Sequence, residues 1–253
     1  YTEELANFNA QIAEEVVYDD GQEERRELHI DGAHVEGTPF QRAKVASDKF
    51  AAMAWPLQLW GGSAIIAAGN GANSHLRAAI QELSPRFVVR RVYRHSGWRQ
   101  IGGVWFYLHG AGAIGPSGPV PGIEVNLEDR LSHLRLPDPP SANSAELKAS
   151  VKASLDLLYL SKREVIGAVV LGGVFRAILA EVLPVTMGIW LEGRTGAFKT
   201  QLAAPAQSFY GAEFTRDPPP AHWACTADAI QAVTFRAKAA PAPPSDSPPP
   251  PRP

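Results

Sequence analysis

Residues 185–200, VTMGIWLEGRTGAFKT, constrain the fold more than any other stretch of the chain. An apolar, strand-like run (Val185, Met187, Ile189, Trp190, Leu191) empties into a glycine loop that ends in Lys199-Thr200, and the helix-compatible residues Gln201 to Tyr210 follow. Strand, glycine loop and helix in that order are the context of a phosphate-binding P-loop, in which backbone N–H groups form an anion nest, a lysine reaches the β/γ-phosphates and a Ser/Thr hydroxyl takes Mg²⁺. Gly193, six residues before Lys199, opens the turn, and Gly196 supplies a second position free to take positive φ. The candidate cofactor-binding set is therefore Gly193, Thr195, Gly196, Lys199 and Thr200, with ATP and Mg²⁺ as the implied ligands and Thr200 as the residue on the metal. One position departs from the pattern: Phe198 stands where glycine normally precedes the lysine, and its Cβ crowds a backbone that must approach a phosphate closely. The same letters also fit an ordinary strand-to-helix turn.

Further motifs lie outside the loop: NFNAQI (Asn7 to Ile12), HSGWRQIGGVWFYLHGAGAIG (His95 to Gly115), FYG (Phe209 to Gly211) and HWACTADAIQ (His222 to Gln231). Together with GRTGAFKT these resemble the bacterial family catalogued as domain of unknown function 927, found in helicase-like proteins of phages and other mobile elements. The likeness spans most of residues 1–235. It implies an AAA+-type ATPase acting on DNA, single-stranded or forked, during replication of a mobile element, homo-oligomeric in its complete form. It also implies that a bulky residue at position 198 is a family trait.

With 253 residues the chain is long enough for one large or two modest domains with a real core. A net charge of −2 creates no global field toward nucleic acid or acidic lipid, so any DNA contact must be a local patch. The single cysteine, Cys225, excludes an intrachain disulfide and fits a reducing, cytoplasmic compartment. The first residues, YTEELANFN, are acidic and polar where a signal peptide is basic and then apolar, and the missing initiator methionine leads to the expectation of a start inside a longer protein. Val165 to Val174 is almost wholly apolar, but Arg176 and Glu181 interrupt it before the roughly 20 residues a bilayer requires, so a buried helix and no membrane association is expected.

Periodicity organises the rest. Ala10 to Tyr18, Asp19-Asp20-Gly21 and Glu27 to Ile30 predict a β-hairpin around the DG turn. Strands are predicted at 86–93 and 103–109, and helices at 72–83, 144–160 (with Ser144 as N-cap), 163–182 and 226–236. Gly167, Gly172 and Gly173 are expected to admit a close neighbour, and Pro184 to help end its helix. The predicted fold class is an α+β N-terminal region followed by the start of an α/β P-loop NTPase (AAA+-like) domain, incomplete, with a disordered Pro-rich tail. The expected boundaries are 1–136 for the N-terminal domain, 137–143 (within LPDPPSAN) for a linker, 144–236 for the partial ATPase domain and 237–253 for the tail.

Three weaker patterns accompany these. RFVVRRVYRHSGWR (86–99) interleaves five arginines with Phe87, Tyr93 and Trp98, the mixture a single-stranded nucleic-acid groove uses; Arg90, Arg91, Arg94, Trp98 and Arg99 are its candidate contacts. A half-buried strand with Val and Tyr inward and Arg solvated gives the same letters and is the favoured reading. His222-x-x-Cys225 has half of a zinc spacing and no second pair, and Glu14-Glu15 and Asp19-Asp20 are expected as solvated charge at a strand edge and a turn.

Hydrolysis requires an acidic residue at the end of a later apolar strand, and after Thr200 no apolar run ends in Asp or Glu. The expectation is a chain cut short before that strand, by a premature stop or an out-of-frame read, that binds but does not hydrolyse ATP. Pro205, inside the helix after the loop, is expected to kink it by removing a hydrogen bond and clashing with the Gln201 carbonyl. The alternative function is a non-catalytic nucleic-acid-binding or interaction module with a vestigial glycine loop.

Overall fold

The computed structural model describes residues 4–84, 86–138, 140–159, 164–184, 188–194, 199–214 and 225–237. It is a mixed α+β chain that divides into two compact units, Tyr1–Val92 and Tyr93–Pro253. The stretch expected as an interdomain linker, 137–143, lies inside the second unit. The Pro-rich tail from residue 238 lies outside the described residues.

The first unit is built on the predicted hairpin. β1 (Phe8–Asp19) and β2 (Glu24–His34) pair antiparallel from Phe8↔His34 to Asp19↔Glu24, and β2 pairs in turn with β3 (Ala43–Ala46). The turn is held by Asp19 and Asp20, whose carboxylates accept from the N–H groups of Gly21, Gln22 and Glu23, while Gly21 takes φ 93°. A β-bulge between Ile12 and Glu14 shifts the register, so the strand changes which side chains it turns to each face. The amide of Ile12 donates to Ser84 Oγ at 2.7 Å, and that hydroxyl donates to the Ile80 carbonyl at 2.6 Å, which tethers the bulge to the end of a helix.

Between β3 and that helix run two short helices, α1 (Ser47–Phe50) and α2 (Trp55–Trp60). The tethering helix itself is α3 (Ala72–Glu82), as its Leu76–Ile80 spacing predicts. Phe8, Ile12, Ile30, Val45, Phe50, Trp55, Trp60, Leu76 and Ile80 form the core of the unit. Trp60 stacks on Phe40 with ring centroids 4.7 Å apart, and the edge of its ring lies against Gly32, where any Cβ would strike it. β4 (Val88–Tyr93) lies beside β1 and ends where the second unit begins. Its burial departs from the expected alternation: Val88 and Val89 are exposed, and only Val92 and Tyr93 are buried.

The second unit opens with an antiparallel meander, β5 (Gly97–Ile101), β6 (Val104–His109), β7 (Gly112–Gly115) and β8 (Gly118–Val120). A two-residue strand, β9 (Glu124–Val125), follows. The sequence pattern exposes only β6 as a strand; its neighbours are short and glycine-rich, and their tight turns use positive φ at Gly102, Gly103, Gly112 and Gly118.

Helices occupy the rest. α4 (Ala145–Asp156) is capped by Ser144, whose hydroxyl accepts from Leu147 N at 3.1 Å, as expected. α5 (Glu164–Ile178) continues through a 3₁₀ turn to Glu181; α6 spans Lys199–Ser208 and α7 spans Ala227–Arg236. Their core comprises Leu127, Leu131, Leu134, Leu157, Val170, Leu171, Val174, Ala206 and Tyr210, with Leu191 and Leu202 packed against it.

Two of the three α5 glycines carry close packing: a Cβ on Gly167 would meet the Leu157 and Leu158 carbonyls, and one on Gly173 the Ile189 side chain. Gly172 faces open space. Among the described residues no helix is long and apolar enough to cross a membrane.

Candidate functional site

Lys199 opens α6, so the loop ahead of it meets a helix N-terminus, where the first-turn N–H groups have no intrahelical acceptors and the dipole favours an anion. The strand expected at 185–191 is corrected: residues 188–194 form no strand, and 185–187 lie outside the described residues. What holds the approach is side-chain packing. Ile189 abuts Gly173, and Leu191 packs on the helical core. Glu192, Gly193 and Arg194 beyond them are exposed.

Across this loop the ammonium of Lys199 donates to the carbonyl oxygens of Gly193 at 2.9 Å and Arg194 at 3.1 Å. A side chain at the start of the helix thus bonds backbone five and six positions before it. Thr195 and Gly196, together with Phe198, lie outside the described residues, and of Thr200 only the backbone, in the first turn of α6, is described. Chemically the arrangement offers a cation beside the amino end of a helix, which suits a polyphosphate oxygen.

Downstream, α6 runs on through Pro205 to Ser208, one of the expected helix's interior positions. Tyr210 then donates its hydroxyl to the Val174 carbonyl at 2.6 Å, and burial pushes that phenol well above its ordinary range. Gly211 lies so close to residue 133 that a Cβ would fall on the His133 carbonyl oxygen. The FYG sequence is therefore a packing device that fixes the far end of α6.

The candidate nucleic-acid residues divide between the two units. In the first, Arg90 Nε meets Glu14 Oε1 at 2.6 Å, and Arg91 faces Asp19 and Glu24. Asp19 is 1% exposed, which corrects the expectation of solvated charge at the turn: it both caps the hairpin and receives an arginine. Glu14 likewise faces partners, Arg90 and the buried His29.

In the second unit Arg94 meets Glu128 Oε1 at 3.1 Å. Trp98 donates its indole N–H to the Ile178 carbonyl at 2.8 Å and sits edge-on to Tyr107, while Arg99 is half-buried in β5. The guanidinium groups of Arg90, Arg91 and Arg94 each face a carboxylate within their own unit.

Two arrangements carried no usable sequence signal. Glu128 is gripped from both sides, by Arg94 and by Arg236 Nη1 at 2.9 Å, across 108 positions of sequence. His109, buried at the end of β6, accepts from the amides of Ala111 and Leu136 through Nδ1, which places the ring proton on Nε2. Burial, reinforced by the nearby Arg135 charge, holds its pKa below the ordinary histidine value.

Among the described residues no group of His, Cys, Asp and Glu is arranged to hold a metal. Cys225 is half-buried and free, and His222 lies outside the described residues. No protein-family model matches the chain, and no curated protein matches it.

Proposed function

We propose that the chain is the nucleotide-binding part of a helicase-like P-loop ATPase of a phage or mobile element, with the loop 193–200 as its phosphate grip. The observation that supports this reading is the reach of Lys199 back to the carbonyl oxygens of Gly193 and Arg194, because it holds an ammonium group beside backbone that a polyphosphate would have to approach. Its two present acceptors are neutral carbonyls, and a phosphate oxygen is the stronger acceptor for an ammonium group. Gly193, Thr195 and Gly196 would contribute backbone N–H groups, and the N-terminus of α6 would add its dipole. Thr200 is the residue that would hold Mg²⁺.

In this reading residues 144–236 are the opening segment of an α/β P-loop domain, and the complete protein works on DNA as a homo-oligomer. Within residues 201–253 no apolar run ends in Asp or Glu, so the proposal concerns nucleotide binding by the loop and assigns no hydrolytic acid.

Titration of ATP with and without Mg²⁺ into wild type and Lys199→Ala tests the proposal. Loss of the lysine is expected to weaken binding at least about tenfold, the scale of one charge-assisted phosphate contact. Equal and negligible affinity of both proteins, with unchanged far-UV circular dichroism, would overturn it.

A further inference from the structure

Residues 188–194 form no strand, so pairing in a sheet does not set their path into the loop 193–200. The approach instead runs back along α5. Past the 3₁₀ turn that ends at Glu181, the guanidinium of Arg176 donates through Nη1 to the Leu183 carbonyl and through Nη2 to the Pro184 carbonyl at 3.0 Å. Ile189 then lies against Gly173, nearly one turn earlier on the same helix, and Leu191 packs on the helical core.

These ties govern more chain than they span. From Gly173 to Arg176 a helix rises about 4.5 Å, whereas the residues from Pro184 to Ile189 can stretch over ~17 Å. The segment therefore has slack, and its course depends on where side chains hold it. Ile189 and Leu191 hold it by apolar packing, which has no direction of its own. The fork of Arg176 is directional and grips the main chain at the entry. Within three residues of Leu191 come the carbonyls of Gly193 and Arg194, to which Lys199 donates.

We propose that Arg176 is a positioning residue for the loop: by fixing Leu183 and Pro184 it sets the path of residues 188–194, and so the place where the Gly193 and Arg194 carbonyls meet Lys199. The consequence for ATP rests on the reading of the loop given above; the effect on the path does not.

Arg176 stands in the last turn of α5, where any cation complements the helix dipole. A lysine would serve that purpose equally well. Holding two consecutive carbonyls requires the planar fork, whose terminal nitrogens donate side by side. Arg176→Lys therefore separates the two roles.

Trypsin reads the path directly, because Arg194 is exposed and the carbonyl of the bond it would cut is one that Lys199 holds. In the full chain, cleavage after Arg194, followed by mass spectrometry, is expected to quicken about tenfold in Arg176→Met, the scale of two exposed hydrogen bonds, and by most of that factor in Arg176→Lys. Far-UV circular dichroism is expected to stay unchanged. Val170→Ala, in the buried face of the same helix, is expected to lower the thermal midpoint and leave this cleavage at the wild-type rate, since an exposed segment is cut through local opening. Affinity for ATP is expected to fall in both Arg176 variants by about the factor seen in cleavage, because the released approach must be ordered again on binding.

Wild-type cleavage in Arg176→Lys overturns the proposal, and so does an equal rise in Val170→Ala. A wild type that binds ATP with an affinity the Arg176 variants share overturns it as well. A wild type that binds no ATP instead removes the nucleotide reading, and the cleavage rates alone then decide whether Arg176 sets the path.

Discussion

Arg90 reaches across from β4 to Glu14 on β1, Nε to Oε1 at 2.6 Å, while the second carboxylate oxygen of Glu14 faces His29 Nδ1 at 3.0 Å. The hydrogen bond from Arg90 is the largest influence on Glu14; burial opposes it, and the Arg90 and His29 charges reinforce it, so the carboxyl titrates below the ordinary glutamate value. A depressed carboxylate stabilises the fold fully above the unfolded-state value of 4.5, and the contribution is lost as pH falls through the folded-state value. Glu14→Gln is expected to cost about 1 kcal/mol at pH 7, the worth of a partly exposed charge-assisted bond, and that penalty is expected to shrink as pH falls below 4.5 and through the folded-state value. Urea unfolding of both proteins at a series of pH values checks it; a penalty that stays constant into acid contradicts the assignment.

His109 works in the opposite protonation state. Its Nδ1 receives two backbone amides, so the fold requires the neutral ring, and burial holds the folded-state pKa below 6.5. Above that pH both the folded and unfolded states carry a neutral ring and nothing is lost. As pH drops below 6.5 the unfolded chain takes up a proton first, so stability declines until the folded-state value is passed. His109→Asn keeps an acceptor near the Nδ1 position and removes the titration. Thermal unfolding between pH 7.5 and 5 is therefore expected to show a shallower decline for the variant than for wild type. Parallel slopes would assign the acid sensitivity elsewhere.

Close approach fixes the end of the loop helix. Gly211 packs against the chain at His133 with no room for a Cβ, and its amide donates to Ser208 O at 3.2 Å. Gly211→Ala must push residues 132–135 or the end of α6 aside, at a cost of about 3 kcal/mol, at the upper end of ordinary overpacking. Gly172→Ala, on the same unit but facing open space, is expected to be neutral or slightly stabilising through higher helix propensity. Chemical denaturation of the pair separates steric exclusion from a general intolerance of glycine replacement.

The elements legible in the sequence are those whose local chemistry and long-range packing agree. The Asp-Asp-Gly turn sets the β1–β2 register directly through its own carboxylates, and Ser144 starts α4 with its own hydroxyl. The meander from β5 to β8 was mostly hidden because its strands are short and its register depends on turns at glycines rather than on an apolar period. Asp19 departs from its sequence-based expectation because a turn residue is ordinarily solvated, and only the fold brings Arg91 to it from 72 positions away. At the candidate site a helix after the loop could be read from residue order, expected from Gln201 and found from Lys199, whereas the bonds of Lys199 to the Gly193 and Arg194 carbonyls carried no such signal. The irregular path of 188–194 could not, because Ile189 and Leu191 are apolar for packing on α5 and the helical core rather than for pairing in a sheet.

Pro205 provides a test of how much the loop helix tolerates. It occupies the seventh position of α6, where an ordinary residue would donate its amide to the Gln201 carbonyl, and the helix nevertheless continues to Ser208. The packing that holds it is on both sides of the proline: Leu202 and Ala206 lie against the helical core, and the Ser208 hydroxyl donates to the Pro205 carbonyl at 2.7 Å. Pro205→Ala restores the missing amide without adding bulk, and since an interior proline costs about 3 kcal/mol in a helix, the substitution is expected to stabilise the second unit by about 1–3 kcal/mol. A rise in the thermal midpoint of a few degrees is the corresponding readout. If the proline kink instead sets the angle at which Lys199 meets Gly193, the same variant gains stability yet loses affinity for ATP, so the two measurements made together distinguish a tolerated defect from a positioned bend.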